Sequence, residues 1–110
     1  MYLIPLKPLS VNKAYRGRRF ATKELQQYKK DLFRLLPKLK VGKGKLGVTY
    51  IFGFSSKGAD GDNAVKVLQD CLAEAYGFND NKIYEWKISK EDVKKGREYI
   101  SFEIYDYPSF

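Results

Sequence analysis

The chain contains no histidine, one cysteine and one tryptophan in 110 residues. Without histidine there is no Ser-His-Asp or Cys-His machinery and no imidazole-ligated metal. A single cysteine, Cys71, excludes an internal disulfide and a cysteine-cluster zinc site. No apolar run approaches the roughly 18 residues of a membrane helix. The start, Met1-Tyr2-Leu3-Ile4-Pro5-Leu6-Lys7, lacks the basic opening and long apolar stretch of a signal peptide. These absences lead to the expectation of a soluble, cytoplasmic protein without a membrane partner.

What is present suits one folded domain over residues 1–110. Hydrophobic residues make up 44% and aromatics 15%, enough for a core at this length. The net charge of +8 is divided unevenly. Residues 1–58 hold fourteen Lys/Arg against two acids, a net of +12, and residues 59–110 hold seven against eleven, a net of −4. A basic half joined to an acidic half suggests a polyanionic partner together with a local acidic site.

Patterning predicts the order β-α-β-α-β-β, an α+β (mixed α/β) domain with two helices packed on a small mixed sheet. Tyr2-Leu3-Ile4 reads as a short edge strand cut by Pro5. Residues 10–22 interleave Lys13, Arg16, Arg18 and Arg19 with Tyr15 and Phe20 around Gly17, a basic hairpin or loop. A helix over 22–36 has Thr22 as cap and Leu25, Tyr28, Leu32 and Leu35/Leu36 as its apolar stripe. Residues 47–54 are β-branched and aromatic, hence a strand. A second helix over 63–76 has Asp62 as cap and the stripe Val65, Leu68, Leu72 and Ala75, with Ala64 and Cys71 beside it. Strands follow near 83–89 and 99–105, and Trp86 is expected to pack in the core.

Asp60-Gly61-Asp62-Asn63 carries the chemistry. Two carboxylates two residues apart on a Gly-flexed loop invite a hard divalent cation, since Mg²⁺ takes one or two carboxylates plus water and phosphate oxygens. The same residues also suit a turn and a helix cap. Asp80 joins the pair only if the chain brings it back past a helix about 21 Å long. Lys66, between Asp62 and Asp70 on one helix face, serves either a charge ladder or a metal-bound phosphate.

Three segments in order resemble the RusA-type crossover junction endodeoxyribonucleases, small phage and prophage enzymes that resolve Holliday junctions. Pro8-Leu9-Ser10-Val11-Asn12 with Tyr15 is similar to their P-x-S-x-N…Y signature. Asp60-Gly61-Asp62-Asn63-x-x-Lys66…Asp70 is similar to D-x-D-N-x-x-K…D. Tyr76-Gly77-Phe78-Asn79-Asp80-x-x-Ile83 is similar to G…D-D-x-x-[IV], with Asn79 in place of the first of two adjacent acids. The resemblance spans nearly the whole chain. It implies a RusA-like fold and a homodimer in bacterial or phage-infected cells, active in DNA recombination and repair. Asp60, Asp62 and Asp80 would hold Mg²⁺, with Mn²⁺ as a substitute, and Lys66 would act beside them. Phosphodiester hydrolysis would leave 5′-phosphate and 3′-hydroxyl ends.

Binding of branched DNA would fall to Asn12, Lys13, Arg16, Arg18, Arg19, Lys23, Lys29 and Lys30. Tyr15 and Phe20 would either stack on unpaired bases or pack against the domain. The aromatic tail (Tyr105, Tyr107, Phe110) and the helix faces are the candidate dimer contacts. A non-catalytic DNA-binding module, or a nuclease selective for forks or flaps, would share the charge and the aromatics. Acids near the phosphate face separate the module from a nuclease, because a pure binder gains nothing from them.

Overall fold

The computed structural model describes residues 1–16, 20–58 and 61–108, and the side chains of all of these except Arg16, Phe20 and Asp62. Its elements in chain order are β1 (Tyr2–Ile4), α1 (Val11–Ala14), β2 (Tyr15–Arg16), β3 (Phe20–Ala21), α2 (Lys23–Leu35), β4 (Leu46–Phe54), α3 (Gly61–Tyr76), β5 (Ile83–Asp92) and β6 (Tyr99–Asp106). A single 3₁₀ turn, Asp80–Lys82, precedes β5. The four long-range strands form one mixed sheet in the order β1-β6-β4-β5. The expected α+β domain is therefore observed, with α1 as a third, one-turn helix.

β4 is the middle of the sheet. It pairs antiparallel with β6 and parallel with β5. A parallel neighbour needs a crossover, and α3 supplies it. One face of β4 buries Leu46, Val48, Tyr50 and Phe52 beneath the helices, at 1% exposure or less. Ile4, Ile83, Ile100 and Phe102 extend that face across the sheet, and Leu25, Tyr28 and Leu32 of α2 close over it. From α3 the buried residues are Ala64, Val67, Leu68, Cys71 and Leu72. The apolar stripe is thus rotated from the one read in the sequence: Val65 is half-buried and Ala75 exposed. α1 packs against α3, and Lys29 of α2 pairs with Glu74 of α3 at 3.2 Å. These neighbours cover the Ala64–Cys71 side of α3 and turn Ala75 outward.

Trp86 corrects another expectation. It is 47% exposed, because β5 borders the sheet and α3 does not reach over its outer side. The indole N–H donates to Gln69 Oε1 of α3 at 2.8 Å.

The other face of β4 carries no helix. It has glycines at positions 47 and 53, and a tyrosine ring from β6 lies over each. A Cβ on Gly47 would meet the Tyr105 ring, and one on Gly53 the Tyr99 ring, at 2.2 and 2.4 Å. Register explains the geometry: Gly47 stands opposite both Tyr105 and Glu85, and Gly53 opposite both Tyr99 and Glu91. Each ring crosses its glycine and donates its hydroxyl to the glutamate one strand further on. Both phenols are pushed up to about 12, Tyr99 chiefly by its bond to Glu91 and Tyr105 by loss of solvent followed by its bond to Glu85.

Thr22 ties the basic segment to the domain. β2 and β3 pair as a hairpin, with Tyr15 opposite Ala21. Arg18, Arg19 and the Gly17 turn between them lie outside the described residues. Thr22 follows and caps α2: its hydroxyl accepts from the Leu25 N–H (3.2 Å) and donates to the Lys13 carbonyl (2.7 Å). Its own N–H donates to the Ala14 carbonyl (2.9 Å). Thr22→Val keeps the shape and removes these bonds together with the longer one from the hydroxyl to the Ala14 carbonyl (3.2 Å). Urea unfolding should show a loss of about 1–2 kcal/mol, while Thr22→Ser stays near wild type.

Candidate active site

β4 ends at Phe54, and the chain then passes through residues 55–60 into α3. α1 lies against α3. Lys7, Ser10, Asn12, Lys13, Phe54, Ser55, Ser56, Gly58, Asn63 and Glu98 wall a cavity of about 380 Å³. Ser10 and Asn12 belong to the first motif and Asn63 to the second, so two segments about fifty residues apart in sequence meet here. Local chemistry explains the first of them. Ser10 caps α1, accepting from the Lys13 N–H at 3.4 Å, and this one-turn helix exposes Asn12 and Lys13.

The wall also holds one carboxylate, Glu98. Ser55 Oγ donates to Glu98 Oε2 at 2.7 Å, and the Gly96 N–H donates to its Oε1 at 2.8 Å. The Ser55 bond foremost, with backbone N–H groups, holds the Glu98 carboxyl below its ordinary range. With Lys7 and Lys13 on the rim, the cavity presents two cations, amide groups, hydroxyls and one ionised acid.

Asp60 lies outside the described residues. α3 starts at Gly61, so Asp62 sits within the first turn and is not its cap. Carboxylates in that turn are favoured by the helix dipole. Lys66 is exposed one turn on and pairs with Asp70 at 3.8 Å, the charge ladder that the spacing allows.

Asp80 lies elsewhere. Its exposed carboxylate belongs to the 3₁₀ turn before β5. Because β5 runs parallel to β4 from the level of Leu46, Asp80 stands at the beginning of β4. Asp62 stands beyond its end. A helix of 16 residues, about 24 Å long, separates them. Asn79, at the position where the family pattern has an acid, caps the turn and accepts from the Asn81 N–H at 3.0 Å. Among the described residues no three of His, Cys, Asp and Glu are grouped to hold a metal ion. One copy of the chain therefore does not bring Asp80 to Asp62.

The basic residues divide similarly. Lys13, Lys23 and Lys30 are exposed. Lys29 is held by Glu74, whose hydrogen bond raises the lysine's pKa. Tyr15 is half-buried and packs against the core, and the side chains of Arg16 and Phe20 are not among those described. Tyr105 is fixed over Gly47, Tyr107 stacks on Tyr84 with centroids 6.1 Å apart, and Phe110 lies outside the described residues. Sequence reasoning missed Lys7 and Glu98 as members of the cavity. Both come from segments whose spacing signals nothing, and only the sheet brings them there.

Among the described residues no helix is long and apolar enough to cross a membrane. No family model matches the chain, and no curated protein matches it.

Proposed function

We propose that the protein is a Mg²⁺-dependent, structure-selective endodeoxyribonuclease of the RusA type that acts on four-way DNA junctions as a homodimer. The observation that carries this reading is the meeting of Ser10, Asn12 and Lys13 with Asn63 around one cavity at the end of β4. Motifs that read independently in the sequence would be expected to share a site if they share a function.

In this reading Lys7 and Lys13 draw a phosphate into the cavity, and Asn12 and Asn63 orient it through their amides. Lys66 exchanges Asp70 for negative charge developing on the phosphate. The exposed Lys23 and Lys30, with Arg16, Arg18 and Arg19, hold the flanking backbone. Asp60 and Asp62 would hold a divalent cation, which would supply phosphate neutralisation and a water of lowered pKa. Asp80 reaches that cation only from a second copy. A two-fold dimer also matches the symmetry of a four-way junction, presenting two sites to two strands.

The test is cleavage of an end-labelled synthetic four-way junction in Mg²⁺, beside the matched linear duplex. Paired symmetric nicks on the junction alone are expected. Asp62→Asn should reduce the rate by roughly a thousandfold, the size of a lost several-kcal/mol electrostatic contribution, while gel-shift affinity for the junction persists. Tight binding with no cut in either Mg²⁺ or Mn²⁺ would leave a DNA-binding protein in which the acids serve as turn and helix-end residues. Equal cleavage of forks or flaps would keep the chemistry and change the substrate.

A further inference from the structure

The ends of α2 and α3 leave an apolar groove that the candidate active site does not use. Phe33, Leu36 and Leu39, from α2 and the chain after it, line it together with Ala75 and Tyr76 of α3, and it encloses about 440 Å³. Pockets that seat an organic group commonly enclose about 300–1,000 Å³. The groove is held from beneath. Leu36, Leu39 and Tyr76 pack against the core, and the Tyr76 hydroxyl donates to the Pro37 carbonyl at 2.7 Å. That bond fastens the turn after α2 to the end of α3, so the walls stand without a ligand. Phe33 is nevertheless 40% exposed. An apolar hollow of this kind left open to water marks an interaction site. The candidate active site lies at the other end of α3, which is 16 residues long.

Charge selects the occupant. Between Asp31 and Asp60 the chain has six cations and no acid. Lys38 lines the groove, Arg34 follows Phe33 and Lys40 follows Leu39, and all three are exposed. Arg34 meets Asp31 at 3.9 Å and Lys29 meets Glu74 at 3.2 Å, whereas Lys38 and Lys40 pair with no described acid. Their two charges exceed the roughly half negative charge that each of the two helix C-termini presents here. The rim therefore favours an anion. The floor separates a peptide from a nucleic acid. Its hydroxyl, on Tyr76, is already bonded to Pro37. A nucleobase lodged there would leave its own polar atoms unpaired, at a cost in desolvation. A leucine or phenylalanine side chain has no such atoms to satisfy.

We propose that this groove is a docking site for an acidic peptide segment of another protein. A large apolar side chain of that segment rests on Phe33, Leu39 and Tyr76, and its flanking carboxylates face Lys38 and Lys40. The apolar anchor supplies the affinity, and the opposite charges supply orientation and speed of capture. The proposal stands apart from the nuclease reading, because no residue that lines the groove belongs to that site.

An NMR titration of the isotope-labelled full chain tests it, with the peptide Asp-Glu-Asp-Glu-Leu-Leu-Phe as the probe at up to millimolar concentration. The amides of Phe33, Leu39 and Ala75 should shift, and those of Asn12 and Asn63 should not. Alanines in place of the probe's Leu-Leu-Phe, or lysines in place of its acids, should each raise the dissociation constant about tenfold or more. Phe33→Glu and Lys38→Glu should do the same to the acidic probe, and Lys38→Glu should gain affinity for the lysine probe. Both positions are exposed, and circular dichroism checks that the variants are folded. Added salt should weaken binding of the acidic probe. No shift at millimolar peptide, or binding that neither substitution changes, would overturn the proposal. An oligothymidylate that moves the same amides at lower concentration than the peptide would overturn it in favour of a nucleic acid. Amides there that shift on dilution without any probe would overturn it in favour of a second copy. Peptide binding by a protein that cuts no junction would sink the nuclease reading and keep the groove. Junction cleavage by a protein whose groove binds no peptide would do the reverse.

Discussion

Asp62→Asn and Asp80→Asn chains, each inactive alone, are expected to regain junction cleavage when they are refolded together. The expectation follows from the crossover. α3 carries the chain from the end of β4 back to its beginning, so the two acids of one copy lie at opposite ends of a helix about 24 Å long. If a working site takes Asp62 from one copy and Asp80 from the other, a mixed dimer has one site with both substitutions and one with neither. Random pairing makes half of the dimers mixed, so about a quarter of the wild-type sites return. The product should be distinctive as well. With one working site per dimer, the junction is nicked in one strand and not resolved by paired cuts, and denaturing gels of a doubly labelled junction separate the two outcomes. A mixture as inactive as its components would mean that Asp62 and Asp80 do not meet across the dimer.

The second large effect lies on the helix-free face of the sheet. Gly47→Ala is expected to destabilise the protein by about 1–3 kcal/mol, the usual cost of overpacking, although alanine is ordinarily the better strand residue. The new methyl would sit 2.2 Å from a carbon of the Tyr105 ring. The ring must swing out and give up its bond to Glu85. The sign should invert once the ring is gone: in a Tyr105→Ala background, Gly47→Ala should become neutral or stabilising. Urea unfolding of the four proteins measures this coupling, and directly contacting pairs commonly show about 0.5–3 kcal/mol. Additive effects would mean that the ring does not depend on the glycine beneath it.

Local patterning made much of this architecture readable. Thr22 before a 3.6-residue stripe marks α2 to within a residue of each end, and Tyr50 and Phe52 sit in a β-branched and aromatic run that admits only a strand. What the sequence concealed was set by neighbours distant in the chain. One-turn α1 is too short for a periodic signal, and the α3 stripe turns toward whatever covers it. Trp86 reads as core until its strand proves to be the border of the sheet. The candidate site divides in the same way. Asp60, Asp62, Asn63 and Asn12 announce themselves through spacing. The distance from Asp62 to Asp80 depends on whether β5 runs with β4 or against it, and hydrophobic patterning is the same for both.

The strand order also governs when the domain can assemble. β6, the last strand in the chain, lies between β1, the first, and β4. On a ribosome, β4, α3 and β5 can collapse together as a unit of neighbouring segments, whereas β1 emerges first and has no strand to join until residues near 100 have been made. Until β6 has been made, Tyr2 and Leu3 and the open flank of β4 are surfaces awaiting one missing strand. Closure of the sheet therefore waits on β6, and the vulnerability of the nascent chain to wrong partners lies in that interval.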